Sequence, residues 1–269
     1  MPLVCIASPK GGVGKTMIAA NLAHALCRAG RRVLAIDCDP QNALRLHFGL
    51  PLDDHAGFMA GLPRRPDWRA AIRETPSRVR LLPHGTVDAH SVLALAAAME
   101  RDPDLLGAPL RAILADPDLV VVADTAPGPS RALAALVPHA AILAIVLLAD
   151  GGSTAQLPEL ESGRFLGRGT LGGLFAARMH VVLNEVESGS RLSTEVAGAM
   201  ARHFGPRLLG AICRDTAVAE ALACQRLVAD HAPDSPAAAD LQDIAQTIDL
   251  ALFAAAPAQP AAAPLWGPV

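Results

Sequence analysis

The sequence predicts an α/β fold, a mostly parallel sheet with helices on both faces. Three observations carry that prediction. Short apolar runs alternate with stretches of helical periodicity along most of the chain. The runs are apolar at consecutive positions, as expected of strands covered on both sides. The first run leads through a glycine-rich loop straight into the first helical stretch. With 269 residues and 52% hydrophobic content, the chain can build one α/β domain over residues 1–254, and no linker interrupts it.

Leu3 to Ser8 is the first strand, and helical spacing over 17–29 ends near Gly30, which suits a helix C-terminus. Further apolar runs predict strands at Arg32–Ile36, Arg80–Leu82, Leu119–Ala123, Ala140–Leu148, His180–Leu183 and Leu208–Ile212. Helical patterns fall at 88–100, 130–137, 153–166, 190–204, 215–224 and 237–254. Residues 49–78, rich in Gly, Pro, Asp and Arg, read as an irregular excursion with one short helix around Trp68. Residues 167–176 read as a flexible loop. The tail 255–269 is Pro/Ala-rich, with no charged side chain after Asp249, and is expected not to pack. Its Leu265-Trp266 pair reads as a disordered end or a docking motif.

The loop between the first strand and helix is Ser8-Pro9-Lys10-Gly11-Gly12-Val13-Gly14-Lys15-Thr16. Lys10 and Lys15 are the chain's only lysines; every other member of the 23 Lys+Arg is arginine. A biased genome accounts for scarce lysine but leaves this pair unexplained. An ammonium is a compact point charge, where a guanidinium is a wide fork. The loop therefore reads as a phosphate cradle with a place for Mg²⁺. Backbone N–H groups of Gly11, Gly12, Val13 and Gly14 turn on the anion, and Lys15 reaches the terminal phosphates. Thr16 offers its hydroxyl to Mg²⁺, and Met17 opens the helix behind them. This makes the expected fold that of a P-loop NTPase.

Ligands of parallel sheets bind at the carboxyl ends of strands. Asp37-Cys38-Asp39-Pro40-Gln41 follows the second strand, and two carboxylates two residues apart can share one side. Asp37 reads as the structural partner; Asp39 reads as a site residue or as a turn former ahead of Pro40. Asp124-Thr125-Ala126-Pro127-Gly128 ends another apolar strand, the layout in which an aspartate holds Mg²⁺ through water. Asn184 ends a third; its amide suits an adenine edge or a strand-end turn.

Lys10 to Thr16, with Pro9 where the ordinary G-x-x-x-x-G-K-[ST] pattern has glycine, resembles the deviant Walker A loop of the ParA/MinD family of dimeric ATPases. The resemblance implies that Lys10 crosses a dimer interface to the partner's phosphates. It also implies that Asp39 positions the attacking water as the switch I aspartate, that Gly128 of switch II senses the γ-phosphate, and that Asn184 reads adenine. Ile212-Cys213-Arg214-Asp215-Thr216 resembles the family's stretch beside the base, where Arg214 either stacks or stays at the surface. Asn42–Phe48, Asp67-Trp68-Arg69, Leu81-Leu82-Pro83-His84-Gly85 and Asp215–Ala223 are similar to the BcsQ proteins of bacterial cellulose synthesis. This likeness spans roughly residues 2–245. It implies a homodimer with ATP sandwiched at its interface, acting from the cytoplasm. Its partners would be the cytoplasmic parts of a cellulose synthase complex or its accessory proteins, recruiting it to the inner-membrane face. The alternative is a ParA-type partition ATPase on nonspecific DNA. It needs a basic face, for which Arg164, Arg168, Arg178, Arg191, Arg202 and Arg207 are candidates.

Other classes are disfavoured. A net charge of −3 and a pI near 6.3 give no global nucleic-acid footprint. Five dispersed cysteines (Cys5, Cys27, Cys38, Cys213, Cys224) without a Cys-x-x-Cys pair read as buried thiols in a reducing compartment. None lies between Cys38 and Cys213, which excludes an iron–sulfur reductase built on the same loop. Nothing points to the acceptor site and lid of a small-molecule kinase. The N-terminus lacks the regions of a signal peptide, and the longest apolar run, Ala140–Ala149, is too short to cross a bilayer as a helix.

Overall fold

The computed structural model describes residues 2–163, 166 and 178–253. Its strands are β1 (Leu3–Ala7), β2 (Arg32–Cys38), β3 (Arg73–Glu74), β4 (Arg80–Leu82), β5 (Leu119–Thr125), β6 (Ile142–Leu148), β7 (Met179–Val186) and β8 (Leu208–Cys213). They form one sheet in the order β3-β4-β2-β5-β1-β6-β7-β8. Neighbours run parallel except at the edge, where β3 is antiparallel to β4. The helices are α1 (Lys15–Arg28), α2 (Leu44–His47), α3 (Phe58–Gly61), α4 (Ala89–Arg101), α5 (Asp104–Ile113), α6 (Arg131–Leu136), α7 (Gly151–Thr154), α8 (Leu157–Glu161), α9 (Arg191–Phe204), α10 (Thr216–Ala223), α11 (Val228–His231) and α12 (Pro236–Phe253). No helix among the described residues is long and apolar enough to cross a membrane.

The two-residue period of a strand divides the core. Leu3, Cys5 and Ala7 of β1 point to the side covered by α4, α5, α6 and α9. Val4 and Ile6 point to the side covered by α1, α2, α11 and α12. Every residue of β1 is fully buried, which is why the run reads as continuously apolar. At about 1.5–3 kcal/mol for each large side chain taken out of water, these two layers are the main stabilising term.

The differences from the sequence expectations have local causes. Helix α5 is unannounced because Pro103 precedes it and Pro109 lies inside it. It forms because Leu105, Leu106, Leu110 and Ile113 bury together, a tertiary gain that outweighs the proline cost. The helix expected over 153–166 is split into α7 and α8, with Pro158 in the first turn of the second, where its missing N–H costs nothing. Residues 49–78 hold more order than a single helix: α3, 3₁₀ turns at Leu62–Arg64 and Trp68–Ala71, and β3. The thiols are free, but only Cys5 and Cys38 are buried; Cys27 and Cys213 are half-buried and Cys224 is exposed. The loop 167–176, Arg164, Arg168, and the tail with Leu265 and Trp266 lie outside the described residues.

Burial alone pushes the His47 imidazole from its ordinary 6.5 down to about 4. In that window the folded ring stays neutral while the unfolded chain takes up a proton. The stability is complete above about pH 6.5 and is lost as pH falls toward 4, by up to roughly 1.4 kcal/mol per pH unit. Urea unfolding between pH 7 and 5 should show this slope, and His47→Gln should flatten it; identical slopes in the two proteins would remove His47 as its source.

Candidate functional site

The carboxyl ends of β1, β2, β5, β7 and β8 surround a cleft of about 540 Å³, within the range of small-ligand sites. The loop forms its floor. Gly14 stands at the N-terminus of α1 with φ 85, and a Cβ there would lie 2.2 Å from Asn184 Nδ2, so only glycine fits. The first turn of α1 has no side-chain cap and no acidic residue. By contrast α4, α6, α7, α9 and α10 are each capped by Asp88, Ser130, Asp150, Ser190 or Asp215. The free amides of α1 therefore face the cleft as an anion-binding terminus, flanked by the buried ammonium of Lys15.

Register places the acidic residues. Asp37 and Asp124 are neighbours across the β2–β5 ladder, and both are fully buried. Burial first, and the Asp124 charge second, hold the Asp37 carboxyl well above its ordinary range. Its oxygens accept the N–H groups of Asp39 at 2.9 Å and Leu44 at 3.1 Å. Asp37 thus ties the turn between β2 and α2 and stays out of the cleft. Asp39 lies on the cleft wall, and its Oδ1 accepts Gln41 N–H at 3.0 Å, so it also shapes its own turn.

Burial pushes Asp124 up to about 7, against the pull of the Thr16 hydroxyl and the Lys15 ammonium. Among the described residues neither of its buried oxygens has a partner in hydrogen-bond geometry, so Thr16 acts on it as a nearby dipole. An orphaned carboxylate beside a threonine hydroxyl, under an anion cradle, suits Mg²⁺. Among the described residues no three His, Cys, Asp or Glu side chains could hold a metal alone. Mg²⁺ in phosphate sites keeps water and phosphate oxygens as ligands, so Thr16 and Asp124 suffice.

Lys10 is half-buried. Its Nζ lies 3.0 and 3.2 Å from the two oxygens of Asp150, just after β6. Burial raises the Asp150 carboxyl, but the Ser153 N–H, at 2.6 Å, and Lys10 outweigh it and leave it below its ordinary value. The Gly128 N–H donates to Ser8 O at 2.8 Å. Asn184 sits at a β7 irregularity that includes Glu185 in a left-handed conformation; its Nδ2 donates to Val13 O at 2.9 Å. The amide is held against the loop, with its other hydrogen and Oδ1 left for a ligand. Arg214 lines the rim, mostly exposed and 3.7 Å from Glu187.

Gly11, Gly12, Gly14, Lys15, Thr16, Met17, Asp39, Asn184 and Arg214 therefore line one cleft, with Val13 buried beneath them and Asp124 below Thr16. Asp150 was missed, although an acidic residue closing an apolar strand is the same signal that marks Asp39 and Asp124. His47 and Leu222, which also line the cleft, carry no local signal.

Residues 1–248 match the family model of the cellulose biosynthesis protein BcsQ. The chain is 27% identical over 249 residues to the cellulose biosynthesis protein BcsQ of Salmonella typhi, covering 91% of this chain and 93% of that protein. It is 29% identical over 263 residues to the chromosome-partitioning ATPase Soj of Thermus thermophilus, covering 91% and 94%. Among solved structures, the septum site-determining protein MinD of Pyrococcus horikoshii, complexed with Mg-ADP, superposes with a TM-score of 0.71. It is 21% identical and covers 95% of this chain and 98% of that one.

The Lys10–Asp150 pair is exposed enough to be worth at most about 1 kcal/mol. Asp150→Asn keeps the cap on Ser153 and removes only the charge, so the melting temperature should move by no more than about 4 °C. A drop of more than about 10 °C on the same scale would make the pair a structural element.

Proposed function

We propose, from the premise that the chain belongs to the cellulose biosynthesis protein BcsQ family, that it is a Mg²⁺-dependent ATPase working as a dimeric switch. In this reading it assembles, positions or regulates a cellulose synthase complex from the cytoplasmic side of the inner membrane. The observation that carries the nucleotide reading is the uncapped start of α1 with Lys15 beside it and the orphaned Asp124 below.

The residues divide the work. Amides from Gly11 to Thr16 and the Lys15 ammonium hold the phosphates. Thr16 and Asp124 hold Mg²⁺, which supplies charge neutralisation on the β and γ phosphates. Asp39 orients water with the oxygen not engaged by Gln41. Asn184 and Arg214 meet the base. Lys10 and Gly128 each make a contact within their own chain. The proposed switch exchanges them: Lys10 leaves Asp150 for the partner subunit's phosphates, and the Gly128 N–H leaves Ser8 for the γ-phosphate.

The likeness to a chromosome-partitioning ATPase supports a second reading, movement on nonspecific DNA. Of the candidate arginines described, Arg191 is engaged with Glu195 and Arg207 lies over Phe204. DNA binding that requires ATP and falls steeply with salt would select this reading.

Lys15→Ala should abolish ATP binding by calorimetry; unchanged affinity ends the phosphate-loop assignment. Asp39→Ala should bind ATP but release phosphate slowly and leave a long-lived dimer; wild-type turnover would reduce Asp39 to a turn residue. Lys10→Ala and Lys10→Arg should bind ATP yet sediment as monomers, because a guanidinium cannot occupy the place of a compact ammonium. An ATP-dependent dimer in either variant counts against the sandwich.

A further inference from the structure

The stretches Asn42–Phe48 and Leu81–Gly85, which lie outside the nucleotide motifs, meet in the fold. Asn42 is buried and left-handed, φ 52, a conformation asparagine tolerates better than most residues. Its N–H donates to Asp39 O at 2.9 Å, closing the turn that carries the Asp39 carboxylate. Its side-chain Oδ1 accepts the Gly85 N–H at 3.2 Å. Nδ2 is buried without a partner, so the Gly85 bond is the only one the amide makes among the described residues.

Gly85 is a firm anchor. It holds φ 88 and is pressed against Gly57, where a Cβ would lie 2.1 Å from the Gly85 nitrogen. Phe58 N–H donates to Pro83 O at 2.9 Å and Ala60 N–H to His84 O at 2.8 Å. His84 Nδ1 lies 2.9 Å from Gly85 O. The segment 83–85 cannot retreat without breaking its bonds to Phe58 and Ala60. The turn at 39–44 is therefore held from two sides, by Asp37 through the amides of Asp39 and Leu44, and by Gly85 through Asn42.

We propose that Asn42 is a positioning residue for ATP hydrolysis: its amide clasps the turn to Gly85 and so fixes the Asp39 carboxylate at the phosphate end of the cleft. Asn42 is not among the residues lining the cleft, so it acts on the reaction through Asp39. The proposal rests on the hydrolytic role assigned to Asp39.

Asn42→Gly tests it, because glycine keeps the left-handed backbone and deletes the clasp. A misplaced water-orienting group should lower kcat about ten- to a hundredfold, with ATP affinity unchanged by calorimetry. In an Asp39→Ala background the same substitution should have no further effect on phosphate release, since the clasp has nothing left to position. Wild-type kcat in Asn42→Gly, or an effect that adds to that of Asp39→Ala, overturns the proposal. Loss of ATP binding together with turnover also overturns it, by making Asn42 a folding residue. Wild-type turnover in Asp39→Ala itself removes the reading underneath, and this inference with it.

Discussion

Asp37 and Asp124 stand side by side on adjacent strands, out of water, and the site is organised around that conflict. A buried carboxylate is tolerated only when hydrogen-bonded, paired or protonated. The two resolve it differently. Asp37 accepts two backbone N–H groups and becomes the tie of the turn. Asp124 has no hydrogen bond among the described residues and leans on Lys15 and Thr16, which leaves two oxygens for a cation. One carboxylate builds the scaffold because its neighbour does not, and the second keeps the capacity to hold a metal.

The same economy of contacts runs around the cleft. Groups whose proposed work is to touch a ligand or a partner are held by weak, exchangeable contacts. Lys10 has a half-exposed carboxylate and the Gly128 N–H a loop carbonyl. Contacts of this kind are worth about 1 kcal/mol or less net, so a ligand with modest differential affinity can exchange them. The turn carrying Asp39 is the opposite case, tied by Asp37 and Asn42 to two elements that do not yield. A switch needs both kinds of group: ones that move cheaply, and a carboxylate that stays put while they do.

Much of this was legible in the sequence because it is written in short-range rules. The strand at Arg80–Leu82 and the helices over 190–204 and 215–224 followed from periodicity, to within a residue or two. Lys10 to Thr16 could be read as a loop ahead of a helix because glycine spacing is a local requirement, and the structure places that loop at the start of α1. Helix α5 stayed hidden because its two prolines argue locally against a helix and only packing argues for it. Asp150 closes an apolar strand as Asp39 and Asp124 do, but its pairing with Lys10, 140 residues away, is visible only in the fold.

The sequence by itself determined the sheet with helices on both faces, the loop and the acidic strand ends, since each depends on residues within a few positions of one another. Tertiary structure alone decided which carboxylate is tied by backbone amides and which is left without a partner among the described residues, what Lys10 and Asn184 hold, and that Asn42 meets Gly85. Those outcomes depend on strand register and on distances between segments remote in sequence. Register comes from the pairing of β2 with β5 and from the packing of both core layers, which no local pattern encodes.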